Sequence, residues 1–307
     1  MPLTIAHRGA RLLLAVALSA VLLVPAPGAA TASRHRSLSP YAGLGTWLDI
    51  YATSYWVSPR REVAAMARAG VRTLYLQTGN YQQRVALVRP RALGRFVDAA
   101  HAAGLRIVAW YLPGFTNPRQ DERRALAAIR FRSPHGERFD SFSLDIEADL
   151  VSPASLRTRR LLRLSTRLRK AVGPRYSLGA ITPGPVGLRR HPDYWPGFPF
   201  RSLARFYDVF LPMAYSTDAG VHGVTATRSY LAADIAGIRA RTGGRVPIHL
   251  IGGLAGTMGA RETRGFVQAV AGCRPLGYSL YAFSITRPAT WPALTARRPR
   301  GSTRGCR

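Results

Sequence analysis

From Gly43 onward the chain alternates short apolar runs with longer amphipathic stretches. Runs at 45–52, 71–78, 106–112, 141–147, 177–182, 209–215, 247–252 and 276–284 have the length and apolar content of buried strands. Helical periodicity fills 59–69, 90–103, 121–131, 153–172, 200–206, 225–242 and 261–271. Several of these stretches open on Pro or an acidic residue, and several close on Gly, as at Ala69-Gly70, Ala103-Gly104, Val172-Gly173 and Ala271-Gly272. Eight strand and helix repeats predict an α/β fold, a single (β/α)8 TIM barrel over 43–295. An open doubly wound sheet would carry a Gly-rich phosphate turn after its first strand. Here Leu48-Asp49-Ile50-Tyr51 runs into Ala52-Thr53-Ser54 instead.

The most informative of these runs is the fourth. Side chains alternate across a strand, so Ser141, Ser143, Asp145 and Glu147 share one face and Phe142, Leu144 and Ile146 the other. In a parallel barrel sheathed by helices the oily face packs outward, and the two carboxylates point into the mouth. The chain has only 15 acidic residues. Glu62, Asp98, Asp121, Glu122, Asp234 and Glu262 fall on predicted helices, where a solvated face is the default, and Glu137, Asp193 and Asp208 fall in connections or at strand beginnings. Asp140, of opposite parity to Asp145, reads as structural. Asp49, Asp145, Glu147, Asp149 and Asp218 lie on or just after strand ends, so acids gather at the mouth. Asp49 shares a predicted strand face with Trp47 and Tyr51, as a second carboxylate, a ligand for a sugar hydroxyl or a salt-bridge partner. Gln77, Tyr75 and Tyr111 are further candidate sugar contacts. The proline-rich segment 183–199 follows the fifth strand and offers Tyr194 and Trp195 for stacking on a pyranose ring.

The segment Phe139-Asp-Ser-Phe-Ser-Leu-Asp-Ile-Glu147 resembles the fourth-strand motif D-x-x-D-x-D-x-E of the family 18 glycoside hydrolases, the chitinases and endo-N-acetylglucosaminidases. Asp140, Asp145 and Glu147 match, and Ser143 takes the second acidic position. Met213-Ala214-Tyr215 is similar to that family's M-x-Y segment in the sixth strand. The resemblance implies that Glu147 is the general acid on the glycosidic oxygen. It implies that Asp145 orients a 2-acetamido group whose carbonyl attacks the anomeric carbon, and that Tyr215 hydrogen-bonds to that group, with Met213 beside it. The charge of Asp145 in a partly dry mouth is expected to raise the Glu147 pKa into a proton-donating range. The chain departs from the family at Ser143, in a third strand without S-x-G-G, and in an eighth strand without the family's Trp, where Tyr281 or Phe283 is the available aromatic. A retaining mechanism with Asp49, Asp145 or Asp218 as nucleophile stays open.

The remaining features place the molecule. Arg8 and Arg11, the apolar run 12–24 and the small-residue site Ala30-Thr31-Ala32 have the layout of a secretory signal peptide, 1–32, followed by a polar linker, 33–42. The expectation is a secreted protein with no membrane span after cleavage. Its two cysteines, Cys273 and Cys306, suggest a disulfide in that compartment, with a free buried Cys273 as the alternative. No cysteine or histidine spacing suits a metal, and no cofactor is expected. The formal net charge is +29, carried almost wholly by arginine, since Lys170 is the only lysine. A GC-rich coding bias produces such a composition without a ligand. The functional alternative is retention on an anionic surface such as a cell-wall polymer or phospholipid. The basic tail, 296–307, adds to that charge. Nucleic acid is not expected as a partner, since no recognition motif is present. The partner expected is a polysaccharide or oligosaccharide substrate, and the competing reading is a lectin-like barrel that binds glycan without cutting it.

Overall fold

The computed structural model describes residues 37–244 and 246–296 together with Cys306. The expected signal peptide, the first part of the expected linker and most of the basic tail lie outside the described residues. Eight parallel strands close into a barrel in sequence order, β1 (Gly43–Leu48), β2 (Thr73–Asn80), β3 (Arg106–Leu112), β4 (Ser141–Asp145), β5 (Leu178–Pro183), β6 (Val209–Met213), β7 (His249–Leu254) and β8 (Gly277–Tyr281), and β8 pairs back onto β1. Around them lie α1 (Pro59–Arg68), α2 (Pro90–Ala102), α3 (Pro118–Arg130), α4 (Ala154–Val172), α5 (Pro185–Arg190), α6 (Phe200–Leu203), α7 (Val224–Thr242), α8 (Ala260–Cys273) and α9 (Trp291–Thr295). The (β/α)8 expectation therefore holds. The strands are buried on both faces, as a helix-covered parallel sheet requires.

Strand parity divides the core into two layers. Outward residues such as Leu74, Leu76, Ile107, Phe142, Leu144 and Phe210 pack under the helices, while Trp47, Tyr75, Val108, Trp110, Ile181, Val209, Leu211 and Ile251 fill the lumen. The lumen also holds a polar chain. Trp47 Nε1 donates to Ser279 Oγ at 2.8 Å, and His249 Nε2 lies 2.9 Å from that same oxygen. His249 Nδ1 is 2.9 Å from the Tyr41 carbonyl, which can only accept, so Nδ1 carries the proton and Nε2 accepts from Ser279. Complete burial lowers the His249 pKa to about 4 and keeps the ring neutral.

Several expectations need correcting. The described end of the expected linker is not a linker: Ser39–Tyr41 forms a 3-10 turn, and fully buried Tyr41 plugs the lumen, its hydroxyl donating to the Phe142 carbonyl at 2.9 Å. β1 stops at Leu48, so Asp49 and Tyr51 belong to the following loop. α3 starts three residues earlier than its acidic residues suggest, because the Asn117 side chain caps Gln120 N–H and Pro118 is preset for a first turn. Glu62, Asp121 and Asp234, expected on solvated faces, are buried.

Asp140 is structural, as its parity indicates. Its Oδ2 accepts from Ile107 N–H at 2.8 Å, while Arg106 and His101 reach the same carboxylate. Asp208 does the same two repeats later, accepting from Leu178 N–H at 2.8 Å and pairing with Arg169 at 2.6 Å. An acid just before one strand thus satisfies the free N–H at the start of its neighbour.

Cys273 and Cys306 form a disulfide with a sequence separation of 33 residues. Loop closure of that size predicts that C273S/C306S lowers unfolding free energy by about 3–4 kcal/mol. The check is the urea midpoint of oxidised, reduced and double-mutant protein; coincident midpoints would refute it.

Candidate active site

The end of β4 delivers two carboxyl groups to the mouth. Asp145, the last strand residue, is only 5% exposed, and its Oδ1 accepts no hydrogen bond among the described residues. Glu147 lies two residues on, half-buried, in the wall of a cleft of about 620 Å³. Ile146 N–H still bonds the Ile181 carbonyl at 2.8 Å, so the backbone stays pinned to β5 between the two acids. Burial raises the Glu147 pKa, and burial, followed by the charge of Glu147, raises that of Asp145 well above the usual carboxylate range. Desolvation acts on each group, and the repulsion between the two carboxylates is mutual, so it belongs to the pair. The two titrate as a unit that keeps a proton to higher pH than an isolated carboxyl group.

Two other stretches of chain complete the cleft. β6 and the residues after it bring Met213 and Tyr215, and the last residue of β5 with the segment after it brings Pro183, Leu188, Arg190, His191 and Tyr194. Part of that segment is the short helix α5 and not an irregular insertion. The Tyr194 hydroxyl donates to the Glu147 carbonyl oxygen, tying the segment to the strand end. The Tyr215 phenol is held well above its usual pKa by burial and then by the charges of Glu147, Asp145 and Asp218, so it stays a neutral donor. A cluster of aromatic side chains fills the neighbouring lumen. Trp47 stacks on Tyr75 at 4.2 Å and meets Trp110 edge-on at 5.9 Å, while Tyr281 lies 6.3 Å from Trp47 and 6.4 Å from Tyr215. Trp110 Nε1 is buried without a hydrogen-bond partner among the described residues.

The sequence-selected residues divide into two groups. Glu147, Tyr215 and Met213 line the cleft, with Asp145 buried beside Glu147. Asp49 joins from the side: its Oδ2 accepts from the Tyr281 hydroxyl at 2.9 Å, and its Oδ1 accepts from the N–H groups of Tyr51 and Ala52 at 2.8 and 2.9 Å. It is a loop brace that touches the aromatic cluster of the lumen through Tyr281. Gln77, 2% exposed, accepts from Ile50 N–H at 3.0 Å and braces the same loop. Tyr51 projects outward, 62% exposed, with its hydroxyl donating to Gln82 and accepting from Asn80.

Tyr111 and Trp195 do not reach the cleft. Tyr111 has the outward parity of Ala109 and donates to Asp121 at 2.7 Å, beneath α3. Trp195 is 2% exposed, donates to Thr158 at 2.9 Å and lies under the Arg157 guanidinium at 4.1 Å. It anchors the 183–199 segment to α4 and leaves Tyr194 as that segment's cleft-facing aromatic.

Trp110 and Tyr194's tie to Glu147 were missed or only half seen in the sequence. Parity would have found the first, because Trp110 pairs in register with Ser143 and so faces the lumen. Nothing local in the sequence marks the second. Among the described residues no group of three or more His, Cys, Asp or Glu is placed to hold a metal ion, and no helix is long and apolar enough to cross a membrane.

No family model and no curated protein sequence matches the chain. Solved structures do. The protein is similar to a chitinase from Chromobacterium violaceum (15% identity, TM-score 0.58, covering 84% of this chain and 100% of that one). It is also similar to an endo-1,4-β-D-mannanase from Thermotoga petrophila (10%, 0.60, 78% and 88%) and to the glycoside hydrolase domain of PgaB (BpsB) from Bordetella bronchiseptica (13%, 0.55, 84% and 99%). At such identities the likeness is one of fold, and it extends over most of each barrel.

Proposed function

We propose that the protein is an exported glycoside hydrolase of the family 18 type, with Glu147 as its proton donor. The observation that carries this reading is the carboxyl pair at the end of β4, where buried Asp145 holds an unpartnered oxygen beside Glu147, and Glu147 lines a cleft with Tyr194 and Tyr215. A buried acceptor without a partner is costly unless a ligand supplies one. The fold neighbours named as a chitinase, a mannanase and a glycoside hydrolase domain support a glycan as that ligand. The Cys273–Cys306 disulfide is in keeping with export.

In the proposed reaction Glu147 protonates the glycosidic oxygen as the bond to the anomeric carbon breaks. The carbonyl oxygen of the sugar's own 2-acetamido group forms the new bond to that carbon. Asp145 accepts from the acetamido N–H, and Tyr215 donates to its carbonyl. Water then adds at the anomeric carbon, giving its proton to Glu147 and releasing the acetamido group. Asp49 is held by Tyr281 and two backbone N–H groups, which disfavours it as a second protein nucleophile. Burial serves the first step, because a carboxyl group kept protonated to higher pH can act as an acid near neutrality.

The second reading, a barrel that binds glycan without cutting it, is favoured by Ser143. Where the family motif has a carboxylate two residues before Asp145, this chain has a buried hydroxyl that, among the described residues, reaches only the Tyr41 hydroxyl, at 3.4 Å.

E147Q is expected to lower hydrolysis of N-acetylated oligosaccharides by about 10²–10⁴-fold while leaving their binding largely intact. Reducing-end release and calorimetry on the same samples check it, and equal turnover by the mutant would remove Glu147 as donor. Y215F, losing one hydrogen bond to the reacting group, should reduce kcat by about ten- to a hundredfold with little change in KM. A change confined to KM would make Tyr215 a binding residue only.

Stability should also report on the pair. Both pKa values are raised on folding, so the unfolded chain ionises first as pH rises, and stability present at low pH is lost as pH climbs through the raised folded values. D145N should flatten that loss, making the mutant more stable than wild type at about pH 8 but not at about pH 4. Parallel urea curves at both pH values would contradict the buried-pair description.

A further inference from the structure

A second cleft, of about 540 Å³, runs between α3 and α4 on the outside of the barrel. Its wall contains Arg119, Arg159, Arg160, Arg163 and Arg167. Arg159, Arg163 and Arg167 recur every fourth residue on α4, which sets them in one row about 12 Å long at the helical rise of ~1.5 Å per residue. All three are exposed, as is Arg119. Glu122 pairs with Arg167, whose guanidinium has further N–H donors to offer. Arg160 is turned inward, donating to the carbonyls of Phe115 and Thr116 at 2.7 and 3.3 Å. Among the described residues Arg119, Arg159 and Arg163 pair with no carboxylate. Like charges four apart on a helix destabilise it, so the row is a standing repulsion that an anion would relieve.

We propose that this cleft binds an extended carbohydrate polymer carrying an anionic group on successive units. The guanidinium fork matches carboxylate and phosphate alike, and a row of forks matches a repeating anion better than a single one. A concave cleft between two helices admits one chain. Its wall has no exposed apolar side chain to enter a bilayer, since Leu164 is buried and Leu156 half-buried. α3 and α4 both begin at the mouth end of the barrel, and α4 follows the loop after Glu147. A chain lying along the row from Arg167 to Arg159 is therefore led toward the β4 end of the mouth. The proposal rests on the glycan-hydrolase reading for the class of polymer and on the arginine row for the site.

The test compares R159Q/R163Q/R167Q with R68Q/R228Q/R264Q, which removes the same charge from exposed positions on α1, α7 and α8. Both are made in the full-length protein carrying E147Q, so that turnover does not interfere. The probes are polygalacturonate, poly(glycerol phosphate) and phosphatidylglycerol vesicles. Gln is a good helix former, so both variants should melt like the parent. The cleft variant is expected to lose about tenfold or more in affinity for a polymer, and its slope of log K against log salt should fall by about two. The control variant should stay within about twofold. Binding of the carboxylate polymer, the phosphate polymer or both supports the site and tells which anion it takes. Equal loss in the two variants would show that bulk charge does the binding, and binding to vesicles alone would assign the patch to membranes; either overturns the proposal, as does no polymer binding. Failure of the hydrolase reading would appear separately, as no product release by the protein with Glu147 intact.

Discussion

Closing eight parallel strands into a ring is the constraint from which the rest follows. The lumen must be filled by alternate side chains from every strand, and it has little room. Beside Tyr41 it is so tight that a Cβ on Gly277 would lie 2.1 Å from the Tyr41 carbonyl oxygen, and one on Gly179 would lie 2.3 Å from Ser143 Oγ. The interior is packed with large aromatics only because small residues face them. The same packing encloses polar groups, which the linked Trp47, Ser279, His249 and Tyr41 satisfy among themselves.

The two ends of the barrel use acids in opposite ways. At the strand beginnings Asp140 and Asp208 accept from backbone N–H groups and pair with arginine, so each charge is met and each serves the fold. At the strand ends Asp145 and Glu147 are desolvated and have each other for a neighbour, which raises both pKa values. Among the acids near the mouth Asp145 keeps an unpartnered oxygen, whereas Asp49 is held by three hydrogen bonds. Arg190 lines the same cleft as Glu147, yet among the described residues no arginine forms an ion pair with Asp145 or Glu147.

The Tyr194 segment is held from the outside. Arg157 on α4 lies over Trp195, Trp195 bonds Thr158, and Tyr194 reaches back to the Glu147 carbonyl. The first turns of α4 thus position one wall of the cleft, while the same helix carries the arginine row on its outer side. One helix links the two proposed binding features.

The sequence by itself determined the eightfold strand and helix alternation, the parity of Ser141, Ser143, Asp145 and Glu147, and the structural role of Asp140, because strand period and helix punctuation are local properties of the chain. It also picked out Met213 and Tyr215, which the fold brings to the wall beside Glu147. It misread Tyr111, whose aromatic character suited a sugar but whose parity pointed outward, and Trp195, whose loop position hid a buried anchor. Burial of Asp121 and Asp234 on helices was equally out of reach, since a helix face becomes interior only when another element covers it. Tertiary structure alone decided the burial of Trp195, Asp121 and Asp234, along with the Tyr281 contact to Asp49 and the Tyr194 contact to Glu147. Each depends on pairs separated by tens to hundreds of residues that closure of the ring brings within hydrogen-bond reach, a distance no local pattern encodes.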